Sequence, residues 1–510
     1  MKGDKIYMRS KFALINTGSS LILQIVTIIC GFIVPKLIIG TYGSSVNGMV
    51  TSITQFLGYI TMLEAGVGGV VKAALYRPLA VNNVKSVSGI VKATDIFFKK
   101  ISYIYVFYVG LVAILFPKLI SSDFDFLFSA TLVLIIGTST FCQYYFGITY
   151  QILLQADQKM YISTLIQIII TIINTVIIVI LINYDVSIHA VKMYSSIIFM
   201  LKPIALNIYV KRRYALMNDT IPDDTAISQR WDGLAHHLAF FLRKNTDVLV
   251  LTFFSNLKEI SVYSVYLMIS SGLEKILGTV SSGMEAAFGN MIAKKESEAI
   301  KRNLQIYEFI IFTTTTIFFT VGAVLSVSFV SLYTKGVEDV NYIREAFAYT
   351  LLFAEAIYCI RKPYHSIVMA AGYFKETKNG AYAEALINIL LSLILVHKFG
   401  ITGVAFATLI AVSVRTIQYV LFLSANILYR PFSAFLKRLG INIFLGIAIV
   451  IYCNSFLNFS VNSYFMWVMY AIIVTMVTTL IILTINSIVF SKDCRQVLKL
   501  VKRITTKGKS

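Results

Sequence analysis

About fourteen apolar stretches of roughly twenty residues follow one another along this chain, with short polar connections between them. A helix needs roughly 20 mostly apolar residues to cross about 30 Å of hydrocarbon, and most of these stretches reach that length. The approximate spans are 12–36, 44–70, 101–120, 126–152, 161–183, 187–210, 233–256, 261–290, 306–332, 345–371, 380–397, 402–427, 438–457 and 465–490. Hydrocarbon forbids unpaired backbone groups, so the spans are helices or strands of a closed barrel. Charge-free, non-alternating runs such as 165–182 select helices, because barrel strands alternate apolar and polar residues. The predicted fold is an all-α integral membrane protein.

Composition sharpens this picture. The chain is 57% apolar and only 14% charged, with a mean hydropathy of +0.77. Soluble domains carry about a quarter charged residues. The net charge of +20 would suit nucleic acid, but the basic residues sit at span ends rather than in one basic domain, so nucleic acid is not an expected partner. The five cysteines (Cys30, Cys142, Cys359, Cys453, Cys494) are scattered and show no CxxC, which implies neither a disulfide framework nor a zinc site. Residues 1–11 carry Lys2, Lys5, Arg9 and Lys11 ahead of an apolar run that is too long for a signal peptide and lacks a small-x-small site. That run reads as the first span.

The distribution of Lys and Arg sets the orientation, because cytoplasmic loops retain them. About 31 of the 45 fall in alternate connections: the N-terminus, the 71–100 loop, the loops near 155, 220, 298, 375 and 433, and the C-terminal tail. The opposite connections hold Lys36, Lys118, Lys258, Lys335, Arg344 and Lys398. Both termini are therefore expected on the cytoplasmic side. Two inner segments repeat apolar residues at helical spacing between lysines: Val84, Val87, Ile90 and Val91, and Val497, Leu500, Val501 and Ile504. They are expected to be helices lying in the interface, held by anionic lipids.

The inner loop at 211–232 is the widest central connection and marks a boundary. The expected organisation is an N-terminal lobe at 1–218, a C-terminal lobe at 219–432, and two further spans with a basic tail at 433–510. A faint internal repeat supports it. Gln155-Ala156-Asp157 before span five corresponds to Ala370-Ala371-Gly372 before span eleven, and Asp185-Val186-Ser187 corresponds to Gly400-Ile401-Thr402 at the same offset. Two six-helix lobes in pseudo-symmetric repeat, plus two added helices, fit this pattern. Repeats of this kind build many transporters, with substrate near the interface of the halves.

Ionisable groups at membrane depth are costly and usually face a protein interior or an aqueous cavity. Lys202 lies in span six, Arg243 and Asp247 in span seven, Glu274, Lys275 and Glu285 in span eight, Glu355, Arg361 and Lys362 in span ten, Glu384 in span eleven and Arg415 in span twelve. Glu64 lies in span two, and Lys192 near the outer end of span six. Arg243 and Asp247 are four apart and can pair on one helix face. Glu274 and Lys275 are adjacent, so they point about 100° apart. Basic side chains around a cavity suit a phosphate or diphosphate. Arg243, Lys275, Arg361, Arg415 and Lys202 are therefore the candidate substrate-binding cations. Glu64, Asp247, Glu274 and Glu355 either balance them or carry a coupling proton or sodium ion.

Catalytic constellations are missing: there is no G-x-S-x-G, Walker A or H-E-x-x-H pattern. Asp223-Asp224 lacks a second acidic cluster for metal–diphosphate chemistry, and His236-His237 reads as interfacial. The short outer loops leave no room for an extracytoplasmic catalytic domain. The chain is expected to be neither an enzyme nor a metal or cofactor protein. Glycines around span two (Gly43, Gly48, Gly58, Gly66, Gly68, Gly69) suggest close helix packing and hinges.

The ordered pieces resemble polysaccharide (O-antigen-type) flippases of the multidrug/oligosaccharidyl-lipid/polysaccharide exporter superfamily over nearly the whole chain. They are Asn16 through Gln24, Tyr42-Gly43-Ser44 with Asn47-Gly48, Gln55-Phe56-Leu57, Leu63-Glu64-Ala65-Gly66 and Gly68-Gly69. In the second half they are Thr246-Asp247-Val248-Leu249-Val250-Leu251, Val262-Tyr263-Ser264, Arg361-Lys362-Pro363, Ala371-Gly372-Tyr373, Ala385-Leu386-Ile387-Asn388 and Gly400-Ile401-Thr402-Gly403-Val404. The resemblance implies two six-helix lobes around a central cavity plus two extra helices. It also implies transfer of an undecaprenyl-diphosphate-linked oligosaccharide between leaflets by alternating access, for surface polysaccharide biosynthesis. Lipids, a polysaccharide polymerase and glycosyltransferases are the expected partners. An ion-coupled drug or metabolite antiporter of the same superfamily is the rival reading. Asp185 departs from the repeat, standing where the second half has Gly400.

Overall fold

The computed structural model describes residues 2–120, 124–217, 219–225, 245–281, 284–294, 296–457 and 461–507. Arg243, Lys244 and His236-His237, with the first half of expected span seven, lie outside the described residues. Among the described residues there are helices and no strands. Ten helices among the described residues are long and apolar enough to cross a membrane. Their outer faces are apolar: Phe107 is 75%, Phe444 71% and Phe465 76% exposed. The chain is a multi-pass membrane protein. It divides into two compact units, Met1–Ser261 and Val262–Ser510.

The first unit contains α1 (Lys2–Tyr42), α2 (Ser44–Gly58), α3 (Thr61–Ala80), α4 (Val84–Leu119), α5 (Phe126–Cys142), α6 (Ile148–Ala156), α7 (Met160–Asn183), α8 (Ile188–Arg213) and α9 (Asn245–Phe254). Span two is broken. Between α2 and α3 the ladder tightens to i→i−3 bonds, Tyr59 N to Phe56 O and Met62 N to Tyr59 O. Span four is interrupted by a π-helical turn at Gln143–Gly147 between α5 and α6.

One expectation is corrected here. The amphipathic segment at 84–91 does not lie in the interface as a separate helix; it is the first part of the 36-residue α4. Val87, Ile90 and Val91 are buried against protein. The loop after α8 covers this end of α4: Met217 N donates to Ser88 Oγ at 3.0 Å and Asp223 N to Gly89 O at 3.1 Å. The apolar stripe marked a protein contact, which periodicity alone cannot distinguish from a lipid contact.

The second unit contains most of α10 (Leu257–Ser281), then α11 (Met284–Ala293), α12 (Ser297–Tyr333), α13 (Glu345–Ala370), α14 (Phe374–Leu423), α15 (Ser433–Phe456), α16 (Tyr464–Val489) and α17 (Ser491–Lys507). Spans eleven and twelve are the two arms of α14, which turns sharply at Gly400, φ 52° and ψ −134°. Phe288, Leu304, Tyr364, Val412, Tyr419 and Phe435 form a buried core joining α11 to α15. Asn442 of α15, Asn486 of α16, and Thr313 and Thr316 of α12 form a buried hydrogen-bonded group that ties the two added spans to span nine. The tail helix α17 is fastened by Arg438–Asp493 at 2.5 Å.

The repeat seen in sequence recurs as turn geometry. Asp157 N, Gln158 N and Lys159 N bond to Leu153 O, Gln155 O and Leu154 O; Ala371 N, Gly372 N and Tyr373 N bond to Ile367 O, Met369 O and Val368 O. This is one helix-ending pattern used twice. Its left-handed residue is Gln158 (φ 60°) in one case and Gly372 (φ 76°) in the other. The next turns centre on Asp185 (φ 53°) and Gly400 (φ 52°). The first pair is therefore offset by 214 residues and the second by 215, so the second half holds one extra residue between its turns. The single offset expected from sequence is corrected to two.

Candidate functional site

Three of the expected charges meet in the second unit, around an acid from span eleven. Arg361 of α13 donates through Nη1 to Glu384 Oε1 at 2.8 Å, and Arg415 Nε lies 4.0 Å from Glu384 Oε2. All three are buried. Arg415 also donates to Thr377 O, to Gln418 Oε1 and to Tyr419 Oη, and its guanidinium lies 4.2 Å from the Tyr419 ring centroid. Gly380 makes this geometry possible: a Cβ there would fall 1.5 Å from Gln418 Oε1 and 2.3 Å from Arg415 Nη1. Arg361 stacks 4.7 Å from the Tyr358 centroid. Two guanidiniums share one carboxylate, so the group carries an excess positive charge at membrane depth.

A second pair lies on the next residue of α13. Lys362 Nζ is 3.4 Å from Glu274 Oε1 and 3.4 Å from Glu274 O on α10. Lys275 points away from this pair, as adjacency requires, and is exposed. Glu355 is half-buried two turns before Lys362 on α13.

Beside these charges the second unit holds a cavity of about 680 Å³ between α12, α13, α14 and α15. Phe319, Leu352, Phe406, Ile443 and Ile447 give it an apolar wall, and Asn442 and Asn454 lie towards its two ends. Ile360 lines it, while the next residue, Arg361, belongs to the basic group. Successive helix positions point about 100° apart, so α13 presents one face to the groove and another to the cations.

In the first unit, Glu64 of α3 accepts from Tyr144 Oη at 3.1 Å. Tyr144 sits on the π-helical turn, a local irregularity common at functional sites. Lys202 of α8 lies within Coulombic reach of Glu64. Its neighbour Pro203 packs against Gly147, where a Cβ would fall 2.6 Å from the Pro203 Cβ. Gln143 Nε2 donates to Gln151 Oε1 at 3.3 Å along the same segment. Asp247 of α9 is buried within Coulombic reach of Tyr59; its expected partner Arg243 lies outside the described residues.

Several charged groups escaped the sequence reading. Glu308 of α12, 1% exposed at its side chain, takes both terminal nitrogens of Arg430, which follows α14. Burial and this bidentate partner push the Arg430 guanidinium against each other, and Glu308 prevails, raising its pKa above the usual arginine range. Arg438 and Asp493 also pair. These partners are 122 and 55 residues apart, so no local spacing could have announced them. Glu384 was visible as a charge in a span, but not as the acid shared by Arg361 and Arg415. No group of three or more His, Cys, Asp or Glu suited to a metal occurs among the described residues.

No family model matches this sequence, and no curated protein sequence matches it. Solved structures do share its fold. The lipid II flippase MurJ, in an inward closed conformation, superposes with a TM-score of 0.70 at 15% identity, covering 93% of this chain and 99% of the other. A multidrug resistance MATE transporter of the MOP superfamily, inward-facing, gives 0.63 at 12% identity over 78% and 93%. A MOP superfamily transporter from Pyrococcus furiosus, described as having a binding pocket of reversed polarity, gives 0.59 at 14% identity over 82% and 97%. The chain has the fold of these membrane transporters.

Proposed function

We propose that this protein is a flippase that carries an undecaprenyl-diphosphate-linked oligosaccharide from the inner to the outer leaflet of a bacterial cytoplasmic membrane, by alternating access, for surface polysaccharide biosynthesis. One observation carries the reading: α13 has the basic group on one face (Arg361) and the apolar groove on the next (Ile360). Such a cargo has two incompatible parts. A diphosphate with sugars needs cations and water, and a polyprenyl tail needs hydrocarbon. Guanidiniums match phosphate oxygens in a bidentate way, and the groove offers the tail apolar cover.

Lys275, Arg361, Arg415, Lys202 and Arg243 are the proposed cargo-binding cations. Arg361 and Arg415 are tied to Glu384 here, so their part requires the cargo phosphate to share or replace that carboxylate. Glu64, Asp247, Glu274 and Glu355 are the proposed coupling or counter-charge groups, with a proton or sodium ion as the coupling ion. Glycosyltransferases would supply the cargo and a polymerase would receive it.

The likeness to MATE transporters keeps an ion-coupled drug or metabolite antiporter as the second reading. The basic excess disfavours cationic drugs. The deciding experiment deletes the gene and analyses lipid-linked saccharides by mass spectrometry. Accumulation of a complete undecaprenyl-linked unit supports the flippase, and unchanged lipid-linked pools with altered drug sensitivity support the antiporter.

A further inference from the structure

Two helices of the first unit carry a chemistry that the charge clusters leave unused. α1 and α7 lie side by side and run in the same direction. At one end Asn16 Oδ1 accepts from Tyr161 N at 2.7 Å, and Asn16 Nδ2 donates to Gln158 O at 2.8 Å. At the other end Tyr42 Oη donates to Val186 O. These contacts fix the register, and a rise of about 1.5 Å per residue sets the levels between them. Measured from Asn16 and Tyr161, Gln167 lies at about 9 Å, Gln24 at about 12 Å, Thr171 at about 15 Å and Asn174 at about 20 Å.

Each helix has two faces. On α7, Ile169, Ile172, Ile173 and Val176 are exposed, and Gln167, Thr171 and Asn174 share the opposite side at helical spacing. On α1, Ile22, Ile25 and Ile29 are exposed, and Ser20, Gln24 and Thr27 stand roughly opposite them. The isoleucine faces suit lipid. Polar groups at this depth need protein or a hydrophilic path. Thr27 is exposed on its polar face, so that face borders open space.

Two amides here lack partners. Asn174 is 6% exposed, and its Oδ1 accepts no hydrogen bond among the described residues; the buried Nε2 of Gln24 donates none. Between their levels, Gln167 Nε2 donates to Thr171 Oγ1 at 3.2 Å. A buried amide costs free energy unless something bonds it. The unmet groups are one acceptor and one donor. A phosphate satisfies only donors and a metal ion only acceptors, whereas a sugar hydroxyl donates and accepts at once.

We propose that Gln24 of α1, with Gln167, Thr171 and Asn174 of α7, forms the saccharide-recognition face of this protein and sets which sugar unit is carried. The face is uncharged, so its task differs from that of the cations. The basic groups take the diphosphate common to every cargo of this class. This face reads the hydroxyls that differ among them. The inference deepens the flippase reading and rests on it.

The test uses the full-length protein in detergent and two probes. One is the undecaprenyl-diphosphate-linked oligosaccharide extracted from cells lacking the gene; the other is undecaprenyl diphosphate without sugar. Gln24→Met and Asn174→Leu remove the amides at nearly constant volume. Neither amide has an internal partner to orphan, so the melting temperature should hold or rise. Affinity for the oligosaccharide lipid, read by native mass spectrometry, should fall about tenfold in each variant, the size that one or two neutral hydrogen bonds supply. Affinity for the sugar-free lipid should stay within about twofold of wild type.

A loss shared equally by both probes, no loss with either, or a clearly lowered melting temperature overturns the proposal and leaves the flippase reading in place. A wild type that binds neither lipid overturns the flippase reading and this inference with it.

Discussion

Glu384 sits between Arg361 and Arg415, at 2.8 Å from one guanidinium and 4.0 Å from the other. One carboxylate in a buried site thus faces two permanent cations from different helices. This arrangement ties span ten to both arms of α14 and fixes where the basic group lies. It also leaves the group short of negative charge, which is the property an anionic cargo would use.

Glu384→Gln should therefore destabilise the protein strongly. Removing one partner of a buried ion pair leaves an uncompensated charge, a loss of about 3–5 kcal/mol. The melting temperature of the detergent-purified protein checks this. The double variant Arg361→Met, Glu384→Leu should lose less than the sum of its single variants, because the orphaned charge goes with its partner.

Gly380→Val should displace Arg415. The added Cβ would meet Gln418 Oε1 and Arg415 Nη1 at distances no side chain tolerates. Breaking this hydrogen-bonded group is expected to remove about 3 kcal/mol or more and to abolish transport. Size-exclusion profiles and flipping in liposomes measure the two effects.

Glu64→Gln keeps the hydrogen bond from Tyr144 but cannot release a proton. Where Glu64 carries the coupling ion, transport by this variant loses its response to an imposed pH or sodium gradient. Tyr144→Phe removes one hydrogen bond, about 1 kcal/mol, and should slow gradient-driven transport without unfolding the protein. Gradient response equal to wild type in Glu64→Gln assigns the coupling elsewhere.

Filling the groove should block the tail without touching the cations. Gly446 lines it, and a Cβ there would approach Thr320 Oγ1 at 3.1 Å. Gly446→Leu should raise the KM for a long-chain polyprenyl substrate more than for a short-chain analogue. Equal effects on both would place the tail outside this groove.

The two left-handed turns should respond differently to substitution. Gly400 has φ 52° and ψ −134°, which a side chain adopts only with strain of about 1–3 kcal/mol. Gly400→Ala should lower the melting temperature. Asp185→Gly should be close to neutral, because Asp tolerates a positive φ better than most residues. Calorimetry on both variants checks the contrast.

Much of the fold was legible because the bilayer imposes it. A stretch long enough and apolar enough to span must be helical, so the span pattern predicted helices along the whole described chain. The individual site charges were legible for the same reason, since Glu384 and Arg415 are conspicuous in an apolar run. Their partners were not. Arg361 and Glu384 are 23 residues apart on different helices, and Glu308 and Arg430 are 122 apart. The stripe at Val87, Ile90 and Val91 was read as lipid-facing, because a buried protein contact and a lipid contact use the same residues.

The sequence by itself determined that the chain crosses a membrane many times as helices and that it carries uncommon charges at depth. Apolar length and solvation cost are local properties, readable residue by residue. Only the tertiary structure decided that two arginines share one glutamate, that α13 divides a basic group from an apolar groove, and that α1 and α7 hold two amides without partners among the described residues. Those outcomes depend on which helix faces which, and side-chain packing between distant segments sets that choice.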